Sequence, residues 1–251
     1  MRSPSFVVTL ALELAAVSLL AAVASGFGHR WSLWGYATGF QILRWAVIGA
    51  GVSVACALIG AFMAWRNGNK SALYGSVAAL VLGLVTALPP LLWLWTARQL
   101  PLIHDISTDT ENPPAFVAIL PARANAPNTA AYGGPEIAQR QKEAYPDVKS
   151  MRLRIPPPQV FAVALETARD LGWKIVESNA AAGRIEASDR TFWYGFIDDV
   201  VIRVTPLPDN GSRIDVRSVS RVGLSDVGTN ARRIRNFLNN VSSRMGSADA
   251  R

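Results

Sequence analysis

The chain has 251 residues, half of them apolar, and carries 25 lysines and arginines against 18 acids, a formal charge of +7. Residues 1–96 hold five basic side chains against the single acid Glu13, whereas residues 97–251 hold 20 basic against 17 acidic ones. A net +3 spread over that longer part is too thin for a nucleic-acid footprint, so nucleic acid is not an expected partner.

Three apolar runs lie in the N-terminal third, over residues 6–24, 45–65 and 72–95. At 1.5 Å per residue they reach roughly 28–36 Å, against a bilayer core of roughly 30 Å. Hydrocarbon leaves backbone groups no partner but each other, so the runs are expected as helices in a membrane anchor over 1–96. Trp31, Trp34, Trp45, Trp65, Trp93 and Trp95 gather at their ends, the level an amphipathic ring prefers.

The first run also fits a secretory signal peptide, with Arg2 ahead of it and Ala22-Val23-Ala24 as a cleavage signal. Its length and the embedded Glu13 favour a retained helix. Glu13 is an ionisable group in hydrocarbon, which makes it a candidate for function; the plainer reading bonds it to a neighbouring helix. Cys56 is the only cysteine and falls inside the second run, so the rest of the chain has no disulfide framework or thiolate metal site. Small residues recur at Gly75, Ala79, Gly83 and Ala87, and at Gly51/Ala55 and Gly60/Ala64, for packing inside the anchor or against another subunit. Pro89-Pro90 is expected to kink or end the third helix.

Both readings of the first run put the N-terminus inside. Three crossings then deliver the rest of the chain to the outer side. The expected location is a cell inner membrane, multi-pass, with the soluble domain periplasmic and membrane lipids as neighbours.

Residues 97–150 are rich in proline, asparagine and small residues, as in Asn112-Pro113-Pro114 and Gly133-Gly134-Pro135. They read as an extended linker packing on the soluble domain. Residues 116–120 are a strand candidate, and Pro135 suits the first turn of a helix through Tyr145. His104, Asp105, Asp109 and Glu111 match no standard metal spacing and read as a solvated membrane-proximal loop.

A soluble domain is expected over 151–245, with 246–251 as a disordered tail. Residues 151–155 alternate as a strand. A helix opens at Pro156, carries Phe161, Ala164, Leu165, Ala168 and Leu171 on one face, and stops at Gly172. Strands follow at 173–176, 184–187, 191–196, 199–205 and 213–222, with Asp209-Asn210-Gly211 as a hairpin turn. The last helix, from about 226 to 244, has an apolar stripe of Val227, Ala231, Ile234, Leu238, Val241 and Met245, with Ser225 or Asp226 as its cap. Arg232, Arg233 and Arg235 lie off that stripe. The expected class is α+β: a three-helix transmembrane anchor, then an antiparallel-sheet two-layer sandwich with two main helices, helix-grip-like.

Several motifs support a family resemblance: Asn112-Pro-Pro-Ala-Phe, Ala124-Asn-Ala-Pro-Asn, Ala144-Tyr-Pro-Asp, Gly183-Arg-Ile-Glu-Ala, Phe196-Ile-Asp-Asp-Val, and the run from Arg217 to Arg235. Over about residues 104–242 the chain resembles the DUF1499 family, a domain of unknown function. The resemblance implies no activity. It implies that linker and sandwich form one unit.

Strand alternation puts Asp199 with Arg203 on one face, and Asp215 with Arg217 and Arg221. Such an array is expected as cross-strand ion pairs on the face away from the helices. The alternative is an anion or partner site using Arg203, Arg217, Arg221, Ser225, Asp226 and Arg232, with the N–H groups of a helix start beside them. For catalysis, Asp198 and Asp199 point to opposite faces, and the sandwich has no histidine, nucleophile motif or phosphate loop. The expected role is therefore non-enzymatic, without cofactor or catalytic residue: an accessory or partner-binding subunit contacting other membrane-protein subunits. The alternative is a lipid- or anion-binding envelope domain.

Overall fold

The computed structural model describes residues 4–248. It divides into two compact units. The first holds the described residues through Ala97 together with Phe192–Gly195. The second holds Arg98–Thr191 and the described residues from Phe196 on.

The first unit contains helices α1 (Pro4–Arg30), α2 (Tyr36–Arg66) and α3 (Lys70–Ala97). All three are long and apolar enough to cross a membrane, with mean hydropathies of 2.4, 2.2 and 2.2. Their contact faces are built from small residues: Ala11, Ala15 and Ser18 on α1, Ala50, Ser53 and Ala57 on α2, Ala79 and Thr86 on α3. Small side chains let backbones approach, and Ser53 Oγ donates 2.7 Å to the Ala11 carbonyl across the gap. A methyl added at Gly83 would stand 2.8 Å from Val54, and one at Gly75 would stand 2.6 Å from Val8. The Gly75–Ala87 row is thus used inside the anchor, while Gly51 and Ala55 face outward. Pro89 and Pro90 do not end α3, which continues to Ala97. The prolines remove two N–H donors, but in hydrocarbon the surrounding helix has no better partner than itself.

Residues 191–196, expected as a strand, are a turn. Thr191 N–H donates to the Phe196 carbonyl at 2.8 Å and Thr191 Oγ1 accepts from Phe196 N–H at 2.8 Å, closing a loop in which Gly195 takes φ 71°. Phe192–Gly195, inside that loop, pack in the first unit. Trp193 Nε1 donates to the Val23 carbonyl at 3.1 Å, and the Tyr194 ring stacks on Phe40 at 4.9 Å.

The second unit holds strands β1 (Asp105–Ser107), β2 (Met151–Leu153), β3 (Lys174–Asn179), β4 (Arg184–Arg190), β5 (Ile197–Pro206) and β6 (Ser212–Ser220). They form one antiparallel sheet in the order β1-β6-β5-β4-β3, with β2 beside the other end of β6. Its helices are α4 (Gly134–Ala144), α5 (Pro157–Asp170) and α6 (Thr229–Ala248). Helices α5 and α6 cover one face. Phe161, Ala164, Ile234, Phe237 and Val241 there pack on Ile185, Val200, Ile202, Ile214 and Val216, and Trp173 stacks on Phe237 at 5.3 Å. This is the α+β sandwich that the periodicity predicts. Helix α6 continues through Ala248, beyond the expected domain end at 245. The remainder of the expected tail, 249–251, lies outside the described residues.

The other sheet face is covered by the chain between β1 and α4. Phe116 and Ile119 pack there on Val201 and Val219. Residues 116–120 are not a strand; they lead into a short 3-10 turn, Leu120–Arg123. Their amides are claimed by a carboxylate instead of a neighbouring strand. Glu186 accepts the N–H groups of Val117, Ala118 and Ile119 at 2.9, 3.0 and 2.9 Å.

Candidate functional site

The sheet alternation sends β4, β5 and β6 side chains alternately toward the helices and toward the covering linker. On the linker face stand Arg184, Glu186, Ser188, Asp199, Arg203, Asp215 and Arg217. Buried charge must be paired and hydrogen-bonded to be tolerated, and here the linker supplies partners for Asp199, Arg203 and Arg217.

Arg217 is 3 % exposed. Its guanidinium grips Asp105 with two bonds, at 2.9 and 2.7 Å, and donates to the carbonyls of Pro114 at 3.2 Å and Ala130 at 2.8 Å. The rings of Phe116 and Tyr132 flank it at 5.1 and 5.4 Å. A planar fork suits this two-point grip and stacking in a way an ammonium does not. Burial pushes the Tyr132 phenol up to about 12, the negative Asp105 adds to the rise, and Arg217 opposes it.

Asp199, fully buried, takes two arginines. Arg221 donates to both its oxygens at 2.9 Å, Arg123 donates at 2.5 Å, and Ser188 Oγ donates at 2.8 Å. Asp215 lies opposite Arg203 in the β5–β6 register. It accepts from Arg203 Nη2 at 2.8 Å and from Ser150 Oγ at 2.5 Å, with Arg213 Nε at 3.0 Å. Asp109 binds the same two arginines from the linker side, at 3.0 and 3.4 Å. Asp105 and Asp109 therefore do not belong to a solvated loop. They are the linker's anchors on the sheet.

Of the residues singled out in the sequence, Arg203, Arg217 and Arg221 share the linker face, each held by a carboxylate. Ser225, Asp226 and Arg232 lie elsewhere, around the start of α6. Asp226 caps that helix, accepting Gly228 N–H at 2.9 Å and Asn230 N–H at 2.7 Å. Burial raises its carboxyl above the ordinary value, the two amide bonds pull it down, Asp198 pushes it up and Arg233 lowers it. Ser225 Oγ accepts Val227 N–H at 3.2 Å, and Arg232 is exposed with a 3.3 Å contact to Thr229 Oγ1. The six residues do not converge on one point. Asp198 and Asp199 do point to opposite faces: Asp198 meets Arg233 of α6 at 2.6 Å.

Arg123, Asp105, Asp109 and Arg233 escaped the sequence reading as network members. Arg233 flanks the apolar stripe of α6 yet is buried, because Asp198 and Asp189 on the sheet receive its guanidinium. A signal was present in the linker's apolar content, which required it to cover something. Beside α4 the linker also frames an open groove of about 730 Å³. Pro113, Tyr132, Pro135 and Ala138 form its apolar part, and Glu111, Lys142 and Glu143 stand among its polar lining.

A family model, DUF1499, described as a protein of unknown function, matches residues 105–241. The chain belongs to the DUF1499 family. Comparison with curated proteins finds no match. The DUF1499 match begins at Asp105, the residue gripped by Arg217, and ends at Val241 in the core stripe of α6. The stretch the family model describes thus takes in the linker as well as the sandwich, and the ion pairs between them fall inside it.

Proposed function

We propose that this protein is a multi-pass protein of the cell inner membrane whose DUF1499 domain stands on the periplasmic side. There it acts without catalysis, as an accessory or partner-binding subunit of a membrane complex. With the N-terminus inside, as either reading of the first run has it, three crossings carry the chain after Ala97 to the opposite side.

One observation carries the role. The linker groove combines an apolar floor of proline, alanine and tyrosine with charged side chains around it, the anatomy of a contact surface. The buried networks support the same reading, since they fix the linker that frames this groove. Extraction in mild detergent followed by size analysis tests it. The expected result is a particle containing a second polypeptide in fixed ratio. A lone monomer under every extraction condition contradicts it.

A second reading rests on Arg203 and Arg213, which keep a fifth and just over a quarter of their side-chain surface exposed. Such edges suit an anionic lipid head group or a free anion. Native mass spectrometry should then show a retained lipid or anion that is lost in Arg203→Ala. A clean apo mass ends this alternative.

A further inference from the structure

Glu13 is the only acid in residues 1–96, and α1 does not bury it. The inner face of α1 is Val8, Ala11, Ala15, Ser18 and Ala22, all buried against α2 and α3. Glu13 points the other way, with exposed Thr9, Ala16 and Leu20 above and below it at steps of four and three. It makes no hydrogen bond or ion pair among the described residues, although Ser18 and Ser53 on the inner face do find partners or neighbours. Nor can it escape along the helix. It lies nine residues past Pro4, about 14 Å from the helix start at 1.5 Å per residue. It is also level with the middle of α2, between the Gly49–Ser18 and Gly60–Val8 contacts.

An ionisable side chain at mid-membrane faces a bundle interior, a wet cavity or a partner group, because hydrocarbon offers it nothing. Here the interior is filled by small residues and the carboxylate is outside it. What covers Glu13 must therefore come from another helix. A second copy of this chain is a poor fit. The nearest cations of the spans are Arg44, beyond the Gly49–Ser18 level, and Arg66 and Lys70, beyond the Gly60–Val8 level. A parallel copy would set Glu13 against Glu13, acid to acid. Charge complementarity calls for a different chain.

We propose that the outer face of α1, marked by Thr9, Glu13 and Ala16, seats one membrane-spanning helix of a different protein, which carries a lysine or arginine at the depth of Glu13. Thr9 and Ala16 let that helix come close, and the buried ion pair sets its depth and partner choice. This deepens, and rests on, the proposal that the chain is a subunit of a membrane complex.

The test places a photo-crosslinking residue at position 16 of the full chain in its native membranes and sequences the adduct peptide by mass spectrometry. The expected adduct is a membrane span of another protein with lysine or arginine within one turn of the crosslink. Glu13→Leu should cut its yield by about tenfold, and Glu13→Lys should regain it when the partner's basic residue is changed to glutamate. An adduct to lipid alone, to a second copy, or to a helix without a basic residue overturns the proposal. If that happens while mild-detergent extraction still yields a second polypeptide, the subunit reading stands and only this contact fails. If no second polypeptide is extracted, the subunit reading fails as well.

Discussion

Glu186 shows how a single side chain decides the path of a whole segment. Fully buried on β4, it offers its two oxygens to three consecutive amides of the linker and stands 2.8 Å from Arg184 Nε. Without it those amides would be buried donors with no acceptor, each costing about 1–3 kcal/mol. Glu186→Ala should therefore destabilise the domain by roughly 3–5 kcal/mol, the range for breaking a buried charge arrangement from one side. Thermal unfolding of the detergent-solubilised full chain measures the loss, and amide exchange should rise first at 117–119. Arg217→Lys is expected to behave nearly as badly despite keeping the charge. Lysine cannot grip Asp105 at two points while lying between Phe116 and Tyr132. Arg140→Ala, whose partner Glu136 lies one exposed helical turn away, should change stability by less than about 0.5 kcal/mol.

Among the elements, α6 offers a prediction with a definite sign. Burial holds the Asp226 carboxyl above its ordinary 3.8, so the folded state binds that proton more tightly than the unfolded chain does. Its contribution is fully present below pH 3.8 and is lost as pH rises through the raised folded value. Asp226→Asn keeps a capping oxygen without the titration. Relative to wild type, the variant should gain stability as pH goes from 4 to 7, read from the difference in melting midpoints. Asp226→Ala should lie about 1 kcal/mol below Asp226→Asn at either pH, through the missing cap.

The elements also show what the sequence could and could not disclose. The spans, the α5 face, the stop at Gly172 and the α6 stripe are periodic, and periodicity is a local property. Residues 116–120 look like a strand because apolar runs do, but their hydrogen bonds go to a glutamate almost seventy positions away. Residues 191–196 mislead in the same manner, since Thr191 and Phe196 close on each other and turn the aromatic run between them into a loop. The charged face was legible as cross-strand pairing for Arg203 with Asp215, which stand opposite in register, and for Asp199 with Arg221. Arg123, Asp105 and Asp109 meet their partners through the tertiary drape of the linker, which no spacing encodes.

For the molecule as a whole, the division of labour is between a helical unit that spends its small residues on internal packing and an α+β unit that spends its buried charges on holding the linker. Hydrocarbon has to surround α1, α2 and α3, whose outward surfaces carry Leu20, Leu58, Phe62, Val85 and Leu92. In water that much apolar surface would drive association. The proposed sidedness, the subunit role and the partner for Glu13 all follow from the same premise. Alkaline carbonate washing of membranes from cells making the full chain tests it most directly. The chain should stay with the membrane pellet and leave it only when detergent is added. Recovery in the carbonate supernatant as a soluble monomer would contradict the account.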